Sequence, residues 1–227
     1  VDNLAHVDEK LARRVAEPLG IGEPDAKAAA GRAGFRDYRI QLPIDESPAL
    51  SMADTGDGSI RTRKIAILVA DGVDSASLKP IRDALEQAGA QCKIVGPRLG
   101  TMASASKRQI DVDMTFANTP SVMFDAVLVP AGADSAAALS GLGDAVHFVL
   151  EAYKHCKAIC TVGEGVQLLS TLGIAADSDA PAGVVVAATP VTNLGDSTAA
   201  TQIAQDFIAA IAKHRHWDRA NIEAVPA

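Results

Sequence analysis

The apolar residues of this chain fall into two textures that meet near Arg61. Before it, Leu4, Val7, Leu11, Val15 and Leu19 recur at helical spacing. That predicts an amphipathic helix over residues 3–19, stopped by Pro18-Leu19-Gly20. Residues 21–61 then lose the period. They are rich in Ala, Gly, Pro and Asp and read as an extended linker. Phe35, Tyr38, Ile40 and Leu42 are the apolar residues expected to dock it along a surface.

After Arg61, short continuous apolar runs alternate with amphipathic stretches. IAILVAD (65–71), CKIVGP (92–97), AVLVPAG (126–132), KAICTVG (157–163) and GVVVAA (183–188) read as strands buried on both faces, as in a parallel sheet. SASLKPIRDALEQAG (75–89) reads as a helix with Ser75 as N-cap and Gly89 as its stop. Further helices are expected over 143–155, ending in Lys154-His155, over EGVQLLSTLG (164–173), and over 196–217. The mixed segment 101–124 is expected to hold a hairpin at KRQIDVDMTF (107–116). Strands alternating with helices specify a doubly wound α/β sandwich with a largely parallel sheet, preceded by a helix and a long linker. The expected division is 1–20, 21–61 and 62–227.

Of the 227 residues 48% are hydrophobic, enough for one domain with a sizeable core plus appendages. The net charge of −7, with no basic stripe, argues against nucleic acid and anionic membrane as partners. No apolar run is long enough to span a bilayer, and the charged start VDNLAHVDEKLARR has no signal-peptide pattern. Three cysteines, Cys92, Cys156 and Cys160, build no disulfide framework and show no zinc spacing, so a reducing cytoplasm is expected. The chain opens at Val1 rather than Met, which points to processing or to a piece of a longer chain.

In open α/β sheets, chemistry gathers where strands end at their carboxyl edge. Three such edges stand out: VADGVDS (69–75), VPAGADS (129–135) and TVGEGVQLL (161–169). The last has the strand–tight turn–helix order of a nucleophile elbow. Cys160 lies three residues before Gly163, inside the strand, and reads as a small buried hydrophobe with a raised pKa. Gly163-Glu164-Gly165 lacks the third glycine of a dinucleotide site, and Glu164 would repel phosphate. His214-Arg215-His216-Trp217 reads as a surface cap or interface, because on a helix the two histidines face apart. Asp71, Asp74, Asp111 and Asp113 read as solvated loop carboxylates. His147 and His155 have no partner at ligand spacing.

The three edge segments resemble the class I glutamine-amidotransferase-like superfamily, which includes intracellular protease and deglycase families. There the elbow carries a cysteine, a glutamate after the first strand supports it, and a P-G-G turn helps build the oxyanion site. Carried over, the resemblance places Gly163 at the nucleophile position and Gly165 at the following glycine. It places Ser77 at the glutamate, and Pro130-Ala131-Gly132 at the P-G-G turn. Scaffold retained and both chemical groups lost is the implication.

NLAHVDEKLARRVAEPLGI (3–21) is similar to the last helix of the haem-binding core of large-subunit catalases, and FIAAIAKHRHWDR (207–219) to their closing helix. RKIAILVADGVDSASL and AICTVGEGVQLL are similar to that family's appended flavodoxin-like domain. The resemblance implies a parent that dismutates hydrogen peroxide with haem, a core helical region ending at residue 20, and a catalase core and tetramer as partners. The haem-binding residues of that family lie upstream of Val1, and neither Tyr38 nor Tyr153 has a haem-ligand context. The expectation is a non-catalytic domain that stabilises or gates the tetramer and holds unfolded client proteins without ATP. The alternative is a cysteine-dependent peptidase or deglycase acting through Cys160 or Cys156. A nucleotide-binding module would rest on the fold alone.

Overall fold

The computed structural model describes residues 1–5, 7–24, 57–174, 180–187 and 197–219. The chain divides into two units, Val1–Asp57 and Gly58–Ala227.

The first unit opens with two short helices, α1 (Asp2–Ala5) and α2 (Glu9–Ala16), and a 3-10 turn at Glu17–Leu19. This corrects the single helix expected over 3–19. Asp8 makes the break: its carboxylate accepts the Leu11 N–H at 2.7 Å and caps a new helix. Gly20, at φ 64°, supplies the left-handed stop. Ala12 and Ala16 are buried, but Val7, Leu11 and Leu19 are 62%, 45% and 44% exposed. Val7, Leu11 and Leu19 therefore face outward, while Leu4 and Val15 of the same stripe are half-buried. Phe35, Tyr38, Ile40 and Leu42 lie outside the described residues.

The second unit runs β1 (Lys64–Leu68), α3 (Ser75–Gln87), β2 (Gln91–Gly96), β3 (Gly100–Ala103), β4 (Gln109–Val112), β5 (Met114–Thr115) and β6 (Ala126–Val129). It continues with α4 (Ala133–Ser140), α5 (Gly143–Lys154), β7 (Ala158–Val162), α6 (Val166–Thr171), β8 (Val184–Ala187) and α7 (Ser197–Ala212). Six described strands form one sheet in the order β5-β2-β1-β6-β7-β8, every pair parallel. The run β2-β1-β6-β7-β8 has the flavodoxin-like strand order, whose direction switches between β1 and β6.

Alternation along β1 shows why both faces are covered. Ile65 and Ile67 point into a layer with Leu78, Ile81 and Leu85 of α3 and Phe207 and Ile211 of α7. Ala66 and Leu68 point into the opposite layer with Phe148 and Val149 of α5 and Leu168 and Leu169 of α6. Each fully buried side chain of this size contributes roughly 1.5–3 kcal/mol. A doubly wound sandwich follows.

Several local expectations need correction. The N-cap of α3 is Asp74, not Ser75: its two carboxylate oxygens accept the N–H groups of Ala76 and Ser77 at 3.0 and 3.3 Å. The hairpin pairs β3 with β4 around a turn at residues 104–108, and Met114–Thr115 leaves it to join the main sheet beside β2. The last helix ends at Ala212 rather than running to Trp217, because His214 adopts a left-handed backbone at φ 65°. Helix α4, which has no counterpart in the expected elements, separates β6 from α5.

Candidate functional site

The carboxyl edge at the switch point brings three turns together. After β1 come Gly72 to Asp74, after β6 Pro130 to Gly132, and after β7 Gly163 to Gly165. Backbone fits against backbone there. The N–H of Asp74 donates to Ala131 O at 2.8 Å, and the N–H of Ala70 to Ser135 Oγ at 3.0 Å. Gly132 sits at φ 127°, and a Cβ on it would lie 2.5 Å from Gly72 O. A Cβ on Gly165 would lie 2.6 Å from Val129 O and 2.8 Å from Pro130 O. These two glycines are required by the close approach of backbone from the neighbouring turns.

Gly163 is buried and left-handed at φ 53°, directly after the extended Val162, and a 3-10 turn (Gly163–Gly165) then leads into α6. This is the geometry of an elbow, but the residue at its apex has no side chain. Ser77 is also present at the edge and buried, yet its hydroxyl donates to Asp74 O of its own helix at 3.1 Å. Such a hydroxyl neither ionises nor accepts a proton in the way a glutamate does. The N–H of Gly132, the donor of the P-G-G-like turn, is taken by the carboxylate of Glu164, whose Oε2 accepts it at 3.1 Å. Sequence reasoning saw Glu164 only as a charge that repels phosphate. Here its carboxylate is the internal partner of the Gly132 N–H.

The cysteines stand apart from this edge. Cys160 is in the middle of β7 and fully buried, opposite Leu128 and Val185 in the register. Burial first, and then the charge of Asp206, pushes its thiol well above the ordinary range. Cys156 follows α5 with φ 54°, and burial raises its pKa too, against the pull of Arg219. Burial pushes Cys92 up to about 12. None of the three has the depressed pKa of a nucleophile.

The remaining candidates have structural partners. Asp71 accepts from Ala103 N at 2.8 Å and from Arg98 at 3.1 Å. Asp113 accepts from Ile94 N at 2.8 Å. Among the described residues, no group of three or more His, Cys, Asp or Glu side chains gathers to hold a metal. His216 is buried rather than a surface cap: its Nε2 lies 3.0 Å from Ala210 O, and its ring fills the space beside Gly183. Arg219, unnoticed in the sequence, is 4% exposed. It donates to the carbonyls of Tyr153, Lys157 and Ala182 at 2.7, 2.7 and 2.8 Å and stacks over the Tyr153 ring at 4.6 Å. Tyr153 does not fit a haem ligand. It is 2% exposed beneath that guanidinium, and burial raises its pKa and so disfavours the phenolate.

Comparison with known proteins bears on the fold and the family. Solved structures of similar fold include DJ-1 of Schizosaccharomyces pombe, with a TM-score of 0.52 at 17% identity over 66% of this chain and 97% of that one. A ThiJ/PfpI domain protein from Brachyspira murdochii gives 0.57 at 15% identity, over 67% and 98%. At such identities they show the fold alone. Among curated relatives, catalase HPII of Mycobacterium avium is 39% identical over 100% of this chain and 31% of its own length. Catalase HPII of Pseudomonas aeruginosa is 36% identical over 99% and 28%, and catalase-2 of Bacillus subtilis 34% over 96% and 28%. The chain thus spans about a third or less of the relatives it matches. A family model for the C-terminal domain found in long catalases matches residues 61–221. The chain belongs to the family of C-terminal domains found in long catalases.

Proposed function

We propose that this chain is the C-terminal portion of a large-subunit catalase and that its α/β unit does no chemistry of its own. In this reading residues 1–20 end the helical region of a catalase core, 21–61 link, and 62–227 form the flavodoxin-like domain. The parent dismutates hydrogen peroxide with haem held by residues upstream of Val1. The domain covers and stabilises the catalase tetramer in the cytoplasm, and its partners are the core and its own copies. Among the described residues no helix is long and apolar enough to cross a membrane. The observation that carries the reading is the elbow: left-handed Gly163 stands where a nucleophile would, and Glu164 occupies the Gly132 N–H. Nucleophilic catalysis needs a positioned nucleophile and base, and among the described residues the apex of the elbow offers no nucleophile.

A cysteine peptidase or deglycase working through Cys160 or Cys156 is disfavoured by burial and by the raised thiol pKa values. The exposed stripe of Val7, Leu11 and Leu19 supports docking on a catalase core and, when that core is missing, passive holding of unfolded clients without ATP.

The test is haem titration of the pure chain with oxygen release from peroxide. The expected result is no stoichiometric Soret band and no turnover above free haem. Stoichiometric uptake with turnover would overturn the assignment of haem chemistry to the upstream part.

A further inference from the structure

The hairpin of β3 and β4 leaves part of one edge open. The Ser104 N–H donates to Arg108 O at 2.8 Å, so hydrogen-bonded and non-hydrogen-bonded pairs alternate along the hairpin from that point. Thr101 and Ala103 on β3, and Gln109 and Asp111 on β4, are therefore the residues whose backbone groups point away from the partner strand. On β3 the Ala103 groups are taken: its N–H donates to Asp71 at 2.8 Å and its carbonyl accepts the Gly72 N–H at 2.7 Å. Just past β4, the Asp113 N–H donates to Ile94 O of β2 at 3.0 Å. The outward N–H and C=O groups of Gln109 and Asp111 have no partner among the described residues.

This open edge forms one wall of a cavity of about 660 Å³, and Leu78, Arg82 and Glu86 of α3 stand on the other wall. Ile110 and Val112 pack into the same core layer as Leu78, so the even positions of β4 point inward and Gln109 and Asp111 stay exposed. The helix wall is electrically satisfied, because Lys79 pairs with Asp83 and Arg82 with Glu86 one turn on. The strand wall is not. Arg108 and Asp111 both line the cavity, and neither side chain has a charged partner among the described residues. An unpaired strand edge running beside a helix is a geometry that accepts an extended peptide as an added strand.

We propose that the groove between α3 and β4 binds an extended peptide segment of a partner protein, paired antiparallel with Gln109 and Asp111. The segment carries a basic residue opposite Asp111 and, three positions later, an acidic residue opposite Arg108. Its residue opposite Ile110 is apolar, because that face looks onto Leu78. The backbone groups of Gln109 and Asp111 supply main-chain hydrogen bonds, and the two opposite charges set direction and register. A second copy of this chain fits worse. Its outward residues are again Gln109 and Asp111, so Asp111 would meet Gln109 or Asp111 and never Arg108.

Amide hydrogen exchange of the full chain is followed by NMR with the capped peptide Thr-Lys-Val-Thr-Glu-Thr. The Gln109 and Asp111 amides are expected to exchange fast in the free chain and about tenfold or more slowly at saturating peptide. The charge-swapped peptide Thr-Glu-Val-Thr-Lys-Thr should bind about tenfold more weakly, because like charges then stand opposite each other. Exchanging the two host charges, Arg108→Asp with Asp111→Arg, should reverse that preference. Gln109→Pro removes an outward N–H that β3 does not use and should weaken binding about tenfold or more. The proposal fails if about 5 mM peptide protects neither amide, or if both peptides bind equally well to the unaltered chain. It fails equally if the two amides are already protected in the free chain. Protection that grows with protein concentration would assign the edge to a second copy, and protection independent of concentration to a segment of this chain.

Discussion

Cys160 shows how one residue can mislead when read by type alone. AIC occurs in the sequence, and a cysteine near an elbow invites a catalytic role. Its position three residues upstream already argues for a place inside the strand, and the fold puts it there, fully buried. Alkylation of the native chain across pH, mapped by mass spectrometry, should leave Cys160 unmodified below about pH 9 and modify it at once on unfolding. Fast labelling near pH 7 would return the enzyme reading. Lys157 offers a second test with a definite sign. Its folded pKa is lowered from 10.5 to about 8, first by burial and then by Arg215. Between those values the unfolded chain binds more protons, so this group's contribution to stability is present above 10.5 and is lost as pH falls through about 8. Urea midpoints of the wild type should therefore rise relative to Lys157→Met from pH 8 to 10.5; a constant gap would refute the shift. Neither Lys157 nor Glu164 was legible in the sequence. Their partners, Ser121 O and Gly132 N–H, are backbone groups more than thirty residues away that only the fold brings near.

At the scale of elements, the strands were the most legible part. Buried parallel strands write themselves as continuous apolar runs, and β1, β2, β6, β7 and β8 lie where those runs do. Helix α4 was not legible because ADSAAALS is mostly alanine and buries only Ser135, Ala136 and Leu139, too faint a stripe to stand out. The helix over 3–19 was overdrawn because a leucine–valine period does not reveal that Asp8 caps a new start. The last helix was overdrawn because nothing in HRHW announces a left-handed His214. The close approach of α6 to β6 gives a prediction at this scale. Gly165→Ala places a methyl group 2.6 Å from Val129 O, against backbone that cannot yield cheaply. The expected cost is about 2–3 kcal/mol in urea unfolding, at unchanged slope. An unchanged midpoint would mean that the turns are looser than described.

For the whole molecule, the two units divide the account. In the α/β unit the turns after β1, β6 and β7 pack backbone against backbone at Gly132 and Gly165, and Glu164 accepts the Gly132 N–H. The first unit leaves Val7, Leu11 and Leu19 exposed, and each such side chain left in water forgoes roughly 25 cal/mol per Å². In the proposed function a catalase core covers that stripe; in this chain alone it is expected to capture other apolar chains, with the net charge of −7 keeping the complexes in solution. Light scattering of a heat-labile enzyme, with the full chain and with a version starting at Gly58 at equimolar ratio, tests this most directly. The account predicts that the full chain suppresses aggregation without ATP and that the shorter version protects far less. Equal protection by both, or none by either, would contradict it.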